Sequence, residues 1–264
     1  MRALSLEYHD VVGGENFDES GFRGPGPDSY KLTEAAFGAH LEAIASADSA
    51  PPSRVTDWLA RGAEPRPLFL TFDDGGRGAH AHTADALERR GWRGHFFVTS
   101  GQIGSPTFLT ASQIRELRER GHVIGTHSHS HPTRMGAWPP AQIFDEWQRS
   151  MDALADILGE PVVTGSVPGG FYTRAVAEAA ARAGLRVLFT SWPTTQGWTV
   201  AECRVLGRYT IRRWSSAPTA AALADGGVRP RVTQWALYRS LHLLRTIAGD
   251  HYTRLRQSFW ARHG

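Results

Sequence analysis

Short apolar runs alternate along this chain with stretches whose apolar residues recur every three or four positions. Residues 66–72, 95–99, 122–126, 161–164 and 185–190 read as buried strands, and 3–8 and 204–211 add one at each end. Helical patterns lie between them. One surrounds Leu87 and closes at Gly91; another follows Thr110–Gln113, a capping-box spacing, with Gly121 placed for the C-terminal cap. A third carries Ile143, Trp147, Met151, Leu154 and Leu158, and an alanine-rich helix fills 174–183.

Roughly seven strands with intervening helices predict a parallel α/β architecture, either a closed barrel or an open doubly wound sheet. Both carry their chemistry where strands end and loops begin. Residues 11–30 and 48–64 read as long loops, and one domain spanning 1–264 is expected. The segment from about 233 to 262 is helical by pattern, with Leu237, Leu241, Leu244 and Ala248 on one face and Arg239, Arg245, Arg254 and Arg256 spread around it. Packing against the body or a sister subunit is the expected use; lying on a membrane surface is the lesser alternative.

Composition narrows this further. With 264 residues and 41% hydrophobic, the chain can build a substantial core. A single cysteine, Cys203, excludes a disulfide framework and a zinc ribbon. The opening MRALSLEYHDVV meets charge and a histidine too early for a signal-peptide core, so a cytoplasmic protein is expected. Net charge is +3, and of 29 basic residues only Lys31 is a lysine. The arginines are scattered among carboxylates, as in 116–120, so no nucleic-acid partner is expected.

The chemistry concentrates at two strand ends. Thr71-Phe72-Asp73-Asp74-Gly75 closes the 66–72 run. Two adjacent carboxylates there point to different sides, so one can bind a cation while the other faces water or substrate. His127-Ser128-His129-Ser130-His131 follows the 122–126 run. An extended segment would align all three imidazoles; a helical turn after Gly125, the favoured form, pairs His127 with His131 and turns His129 away. A carboxylate with two neutral imidazoles suits one divalent ion, Zn²⁺ first and Co, Ni, Fe or Mn as alternatives.

These residues resemble the polysaccharide deacetylases, the NodB-homology or carbohydrate esterase 4 family. Thr71–Gly75 and His127–His131 look like its first two motifs, and Gly94–Val98, Leu109–Gln113 and Gly121–Gly125 are similar to its intervening segments. The resemblance covers residues 66–190 and implies a distorted (β/α)7 barrel with a C-terminal helical extension. It implies Asp74, His127 and His131 as metal ligands, Asp73 as general base, and N-acetylated amino sugar as substrate. The family's third motif carries an arginine that positions the aspartate. Here Ser166-Val167-Pro168-Gly169-Gly170 puts serine in that place, so that either another arginine substitutes, with Arg174 and Arg208 as candidates, or Asp73 is held differently. The Gly169 amide, after Pro168, can still donate to an oxyanion, since that role needs no side chain. The late Leu-x-x-His-Asp-like motif is missing, but Leu6-Glu7-Tyr8-His9-Asp10 resembles it, as in the circularly permuted subgroup with poly-N-acetylglucosamine deacetylases. That makes His9 the candidate general acid, with Asp10 to orient it.

Trp192 and Trp198 are candidates to stack on sugar rings, while Phe96 and Phe97 read as core. Three rivals stand beside this reading. Gly76-Arg77-Gly78-Ala79-His80-Ala81 matches a dinucleotide fingerprint in form, although two carboxylates would flank the pyrophosphate. A hydrolase of non-sugar amides, such as ureides or cyclic imides, keeps the fold and changes the substrate. A carbohydrate-binding relative without turnover fits the missing arginine.

Overall fold

A computed structural model describes residues 1–47, 50–61 and 66–240. Its strands are β1 (Leu4–Tyr8), β2 (Val11–Val12), β3 (Leu32–Thr33), β4 (Leu68–Phe72), β5 (His95–Val98), β6 (Val123–Thr126), β7 (Thr164–Ser166), β8 (Val187–Thr190), β9 (Trp198–Val200), β10 (Cys203–Gly207) and β11 (Tyr209–Thr210). Its helices are α1 (Pro25–Asp28), α2 (Glu34–Ser46), α3 (Val55–Arg61), α4 (Ala84–Glu88), α5 (Ala111–Glu119), α6 (Pro140–Leu158), α7 (Arg174–Arg182) and α8 (Ala217–Ala224). A last helix covers 228–240.

Nine strands form one sheet in the order β11-β1-β4-β5-β6-β7-β8-β10-β9, and β2 pairs with β3 apart from it. Every pairing in the large sheet is parallel except β9 on β10. Arg208 alone separates β10 from β11, yet β10 pairs with β8 and β11 with β1. The chain therefore passes at that residue from β10, one strand in from the β9 edge, to β11 at the opposite edge. The sheet curls into a half-barrel wall of parallel strands with helices outside, in agreement with the expected α/β barrel type.

Burial on both faces explains why the strands read as unbroken apolar runs: all five residues of β1 and of β4 are buried. Alternation still sorts them. Leu68, Leu70 and Phe72 pack outward with Phe37 and Leu41 of α2 and Ala220 and Leu223 of α8. Phe69 points inward, clustering with Phe97, Val187, Phe189 and Leu206. Phe96 and Phe97 are both core, on opposite faces. One inward row thus runs Phe69, Thr71, Asp73, and another runs Leu206, Arg208.

Several elements differ from the sequence pattern. Residues 48–64, expected as a loop, contain α3, whose Trp58 meets Phe69 edge-on with ring centroids 5.9 Å apart. Only Val55 and Trp58 of that helix are buried, too few to show a period. Helix α2 had no sequence assignment, although Phe37, His40, Leu41 and Ile44 form its buried face and the Thr33 side chain caps it. The 161–164 strand sits later, at Thr164–Ser166, and the 204–211 strand is split by the crossing at Arg208. Helix α5 begins with the expected capping box between Thr110 and Gln113. Residues 11–30 include β2 and α1, and Lys31 is buried beneath them, donating from Nζ to the carbonyls of Phe17 and Phe22.

The terminal helical segment starts at 228 rather than 233, and Leu241, Leu244 and Ala248 lie outside the described residues. Its Gln234 side chain pairs with the Thr210 backbone in both directions, at 3.1 and 3.0 Å. This satisfies the edge of β11 as a neighbouring strand would. Among the described residues no helix is long and apolar enough to cross a membrane.

Candidate active site

Strand β4 delivers Asp73 on the inward row, and the next residue turns sharply aside. Asp74 has φ +77° and Gly75 φ +80°. A Cβ at Gly75 would lie 3.1 Å from the Val98 backbone, so the turn is pressed against β5 and needs glycine. The two carboxylates consequently face different partners, as their adjacency at a strand end implied.

Asp74 faces imidazoles. Its Oδ1 lies 3.5 Å from Nε2 of His127 and 3.4 Å from Nε2 of His131. The three residues present donor atoms that all fall within 4.8 Å of one another. His127 Nδ1 is 3.0 Å from the Ser166 carbonyl, which can only accept. Nδ1 therefore carries the proton, and the Nε2 lone pair is left facing Asp74. This is the tautomer a metal ligand needs, so the donor set fits a divalent cation. Burial holds the His127 ring down at about 4, against the opposing pull of Asp73. Burial alone would raise Asp74, but the His131 hydrogen bond and the surrounding imidazoles bring it down to about 2.

The pairing of His127 with His131 does not arise from a helical turn. Ser128 has φ +68° and His131 φ +55°, and these two left-handed residues reverse the loop. Non-glycine residues in that region cost about 1–3 kcal/mol each, and such strain concentrates at functional sites. The loop is held by its serines: Ser128 Oγ accepts from the His131 amide, and Ser130 Oγ donates to Glu146. His129 turns away, bonded to Ser100 Oγ at 2.9 Å and Arg149 at 3.0 Å.

Asp73 faces a guanidinium. Arg208 Nη1 donates to its Oδ1 at 2.7 Å and Nη2 to its Oδ2 at 2.8 Å, a bidentate fork. The same group donates to Glu7 Oε1 at 3.0 Å and Ser166 Oγ at 2.7 Å, and Ser166 Oγ in turn donates to Asp73 Oδ2 at 3.1 Å. Burial would raise the Asp73 carboxyl, but the Arg208 charge outweighs it and holds the group well below the usual carboxylate range. Of the two arginines considered for this place, Arg208 fills it. Arg174 is 80% exposed and paired with Glu178. Glu7, not singled out in sequence, completes the cluster; its place two residues before His9 on a buried strand was the available signal.

Register carries His9 to the same place. Tyr8 pairs with Phe72, and the Asp73 amide donates to the Tyr8 carbonyl at 3.0 Å, so His9 and Asp73 leave neighbouring strand ends. His9 lines the cavity, and among the described residues its buried Nδ1 has no hydrogen-bond partner. Asp10 does not orient it. That carboxylate accepts from Ser20 Oγ at 3.0 Å and fills the space a side chain would need at Gly76, where a Cβ would lie 2.1 Å from both its oxygens. Burial, then the nearby Asp74 charge, push Asp10 up to about 7. The same packing disposes of the dinucleotide fingerprint. Gly76 lies against Asp10 and Gly78 against the Val11 carbonyl, so the chain's own atoms occupy the approach a pyrophosphate would use.

A cavity of about 780 Å³ opens over these groups. Its aromatic lining is Phe22, Tyr30, Phe171, Trp214 and Tyr238, with Gly169 (φ +65°) on the β7 side. Pro168 is buried behind Gly169, outside the lining. Trp192 also lies outside it, stacked on Tyr238 and edge-on to Trp198, which packs in turn against Tyr172.

Comparison with known proteins gives this geometry a family. The polysaccharide deacetylase family model matches residues 60–188. Residues 60–188 carry a polysaccharide deacetylase domain. YxkH of Bacillus subtilis, named for the same family, is 23% identical over 225 residues, covering 84% of this chain and 74% of YxkH. Two solved structures share the fold. The Streptococcus pyogenes deacetylase PplD has a TM-score of 0.67 at 20% identity, covering 85% of this chain and 98% of PplD. IcaB from Ammonifex degensii has a TM-score of 0.68 at 24% identity, covering 85% and 97%. The deacetylase match spans β4 to β8, the part of the wall that holds Asp73, Asp74 and the histidine loop. His9, just after β1, and Arg208, between β10 and β11, lie outside it.

Proposed function

We propose that this domain is a metal-dependent N-deacetylase of an N-acetylated amino sugar, with Asp74, His127 and His131 holding one divalent ion. One observation carries the reading: a three-residue donor set stands next to a second carboxylate held by a bidentate guanidinium fork. A carboxylate and two neutral imidazoles suit Zn²⁺. When bound, such an ion supplies Lewis acidity to the amide carbonyl and lowers the pKa of water.

The chain's own groups then divide the work. Asp73 Oδ2, held by Arg208 and Ser166, takes the proton released as water attacks the amide carbon. Its depressed pKa makes it a weak base at rest, so it acts on an already acidified water and returns the proton readily. The Gly169 N–H donates to the oxygen that becomes negative, a contact that strengthens as charge develops. His9, unpartnered at Nδ1 and next to Asp73, donates a proton to the departing nitrogen. The carbon–nitrogen bond breaks, giving acetate and a free amine. The Arg208 fork supports this reading, because it supplies from between β10 and β11 the positioning charge that Ser166 lacks.

Acetate release from a panel of N-acetylated glycans and small amides, before and after chelation and with zinc restored, tests this. Chelator-sensitive release from N-acetylated sugars supports it. Hydrolysis of small amides alone, or turnover that survives complete metal removal, overturns it.

A further inference from the structure

The cavity holds a cation that the proposed chemistry does not use. Arg212, just beyond β11, lines it half-buried. Its guanidinium lies 4.7 Å from the Tyr30 ring centroid and 5.6 Å from that of Trp214. Two aromatic contacts keep this fork in the cavity wall, and among the described residues no carboxylate pairs with it. Arg208, by contrast, is fully spent on Asp73, Glu7 and Ser166. Arg23, exposed on the same wall, donates from Nε to the Asp18 carbonyl, and among the described residues no carboxylate pairs with it.

Position gives that cation a meaning. β11 runs beside β1 with Glu7 opposite Thr210, and the Ile211 amide donates to the Glu7 carbonyl at 2.8 Å. Continuing the register sets Arg212 beside His9. Tyr30 confirms the neighbourhood, since its ring packs 4.7 Å from that of His9 as well. The guanidinium and the His9 ring thus share Tyr30 as a neighbour and line the same cavity, at the side of the group assigned to the departing nitrogen.

We infer that the substrate is an anionic N-acetylated amino sugar, and that Arg212 recognises a carboxylate or phosphate on a carbon flanking the one that bears the amide. This rests on the deacetylase reading and deepens it. A planar fork with two free edges suits both oxyanions, and an anion one carbon from the amide reaches a cation beside His9. Arg208 offsets part of the charge of Asp73 and Glu7, which it bonds directly, and Asp74 faces the metal donors.

Three probes separate the possibilities: N-acetylmuramic acid for a carboxylate, the anomeric phosphate of N-acetylglucosamine for a phosphate, and neutral N-acetylglucosamine. Zinc-loaded wild-type protein is assayed for acetate release, and zinc-loaded Asp73→Asn protein for binding by calorimetry. At least one anionic probe is expected to exceed the neutral sugar about tenfold or more in kcat/KM and in affinity, the scale of a charge-assisted hydrogen bond. Arg212→Gln brings that ratio close to unity and Arg212→Lys lowers it partway. Arg213→Gln removes an equal charge outside the cavity, where Arg213 packs on Phe17, and keeps the wild-type ratio. A wild-type ratio at or below unity, or one that Arg212→Gln leaves intact, overturns the inference while acetate release from the neutral sugar keeps the deacetylase reading standing. No release and no binding with any probe removes both.

Discussion

Histidines at opposite ends of the sheet show how one residue type serves two purposes. At the starting ends of the strands, His95 accepts from the Val55 amide at 2.9 Å and sits 2.9 Å from the Leu70 carbonyl. His122 accepts from the Gly94 amide at 3.1 Å and meets Glu88 at 2.8 Å. Both nitrogens of each ring are consumed by the fold. At the finishing ends, His127 spends only Nδ1 on a carbonyl, and the Nδ1 of His9 has no hydrogen-bond partner among the described residues. All four rings are shielded from water to differing degrees, so burial does not separate them. The rings to which the proposed chemistry is assigned are those with a nitrogen left over.

The strongest way to break this contrast is to remove the charge beneath the finishing ends. Arg208→Met leaves Asp73 and Glu7 buried without a cation, which is expected to cost about 3–5 kcal/mol of stability as well as nearly all turnover. Thermal unfolding together with acetate release reads both; a stable, active variant would show that the fork is dispensable. Asp73→Asn isolates the chemistry. It is expected to lower kcat roughly a thousandfold with bound zinc unchanged by elemental analysis, since it removes the base and spares the donor set.

Next come the rings themselves. His95→Ala is expected to lose about 3 kcal/mol of stability, from a cavity and two orphaned backbone groups, while keeping metal affinity. His127→Ala is expected to do the reverse in metal titrations, losing zinc by far more than it loses stability. Should both variants lose stability alike with metal binding intact, the division between the two ends fails.

Acid sharpens the same point. Burial holds His95 down at about 4 from its ordinary 6.5, the Leu70 carbonyl opposing only in part. The unfolded chain therefore takes up a proton that the folded chain refuses. The stability from this ring is complete above the ordinary imidazole pKa and drains away as pH falls from about 6.5 toward 4, by about 3 kcal/mol in total. Denaturant melts across that range, with a His95 variant that still folds, should show a shallower acid slope than wild type. The smallest effect is expected of His9→Gln, about a hundredfold in kcat with the melting temperature unchanged. A drop in stability instead would mark His9 as a packing residue.

Much of the site was legible because its groups are local in sequence. Asp73 and Asp74 adjoin at a strand end, and His127 and His131 share one loop, so residue type and spacing point to a cation before any fold is known. The α5 capping box was readable for the same reason. Other features had no local trace. The histidine loop closes through two left-handed residues, Ser128 and His131, where a helical turn was expected. Asp10, adjacent to His9 and suited on paper to orient it, packs instead between Gly21 and Gly76. Aromatic residues near late strand ends suggested Trp192, yet Tyr30 and Trp214 line the cavity because the 11–30 loop and the segment after β11 fold across it.

By itself, the sequence determined an alternating parallel architecture and the donor set at the ends of two of its strands. Hydrophobic period, caps and motif spacing act over a few residues, so each can be read without knowing what lies across the sheet. Only the tertiary structure decided that Arg208 holds Asp73 in place of an arginine at position 166. That choice depends on the chain crossing between sheet edges at one residue, which brings side chains 135 positions apart to 2.7 Å. Strand order and register, set by global packing, make such a contact, and no window of local sequence contains it.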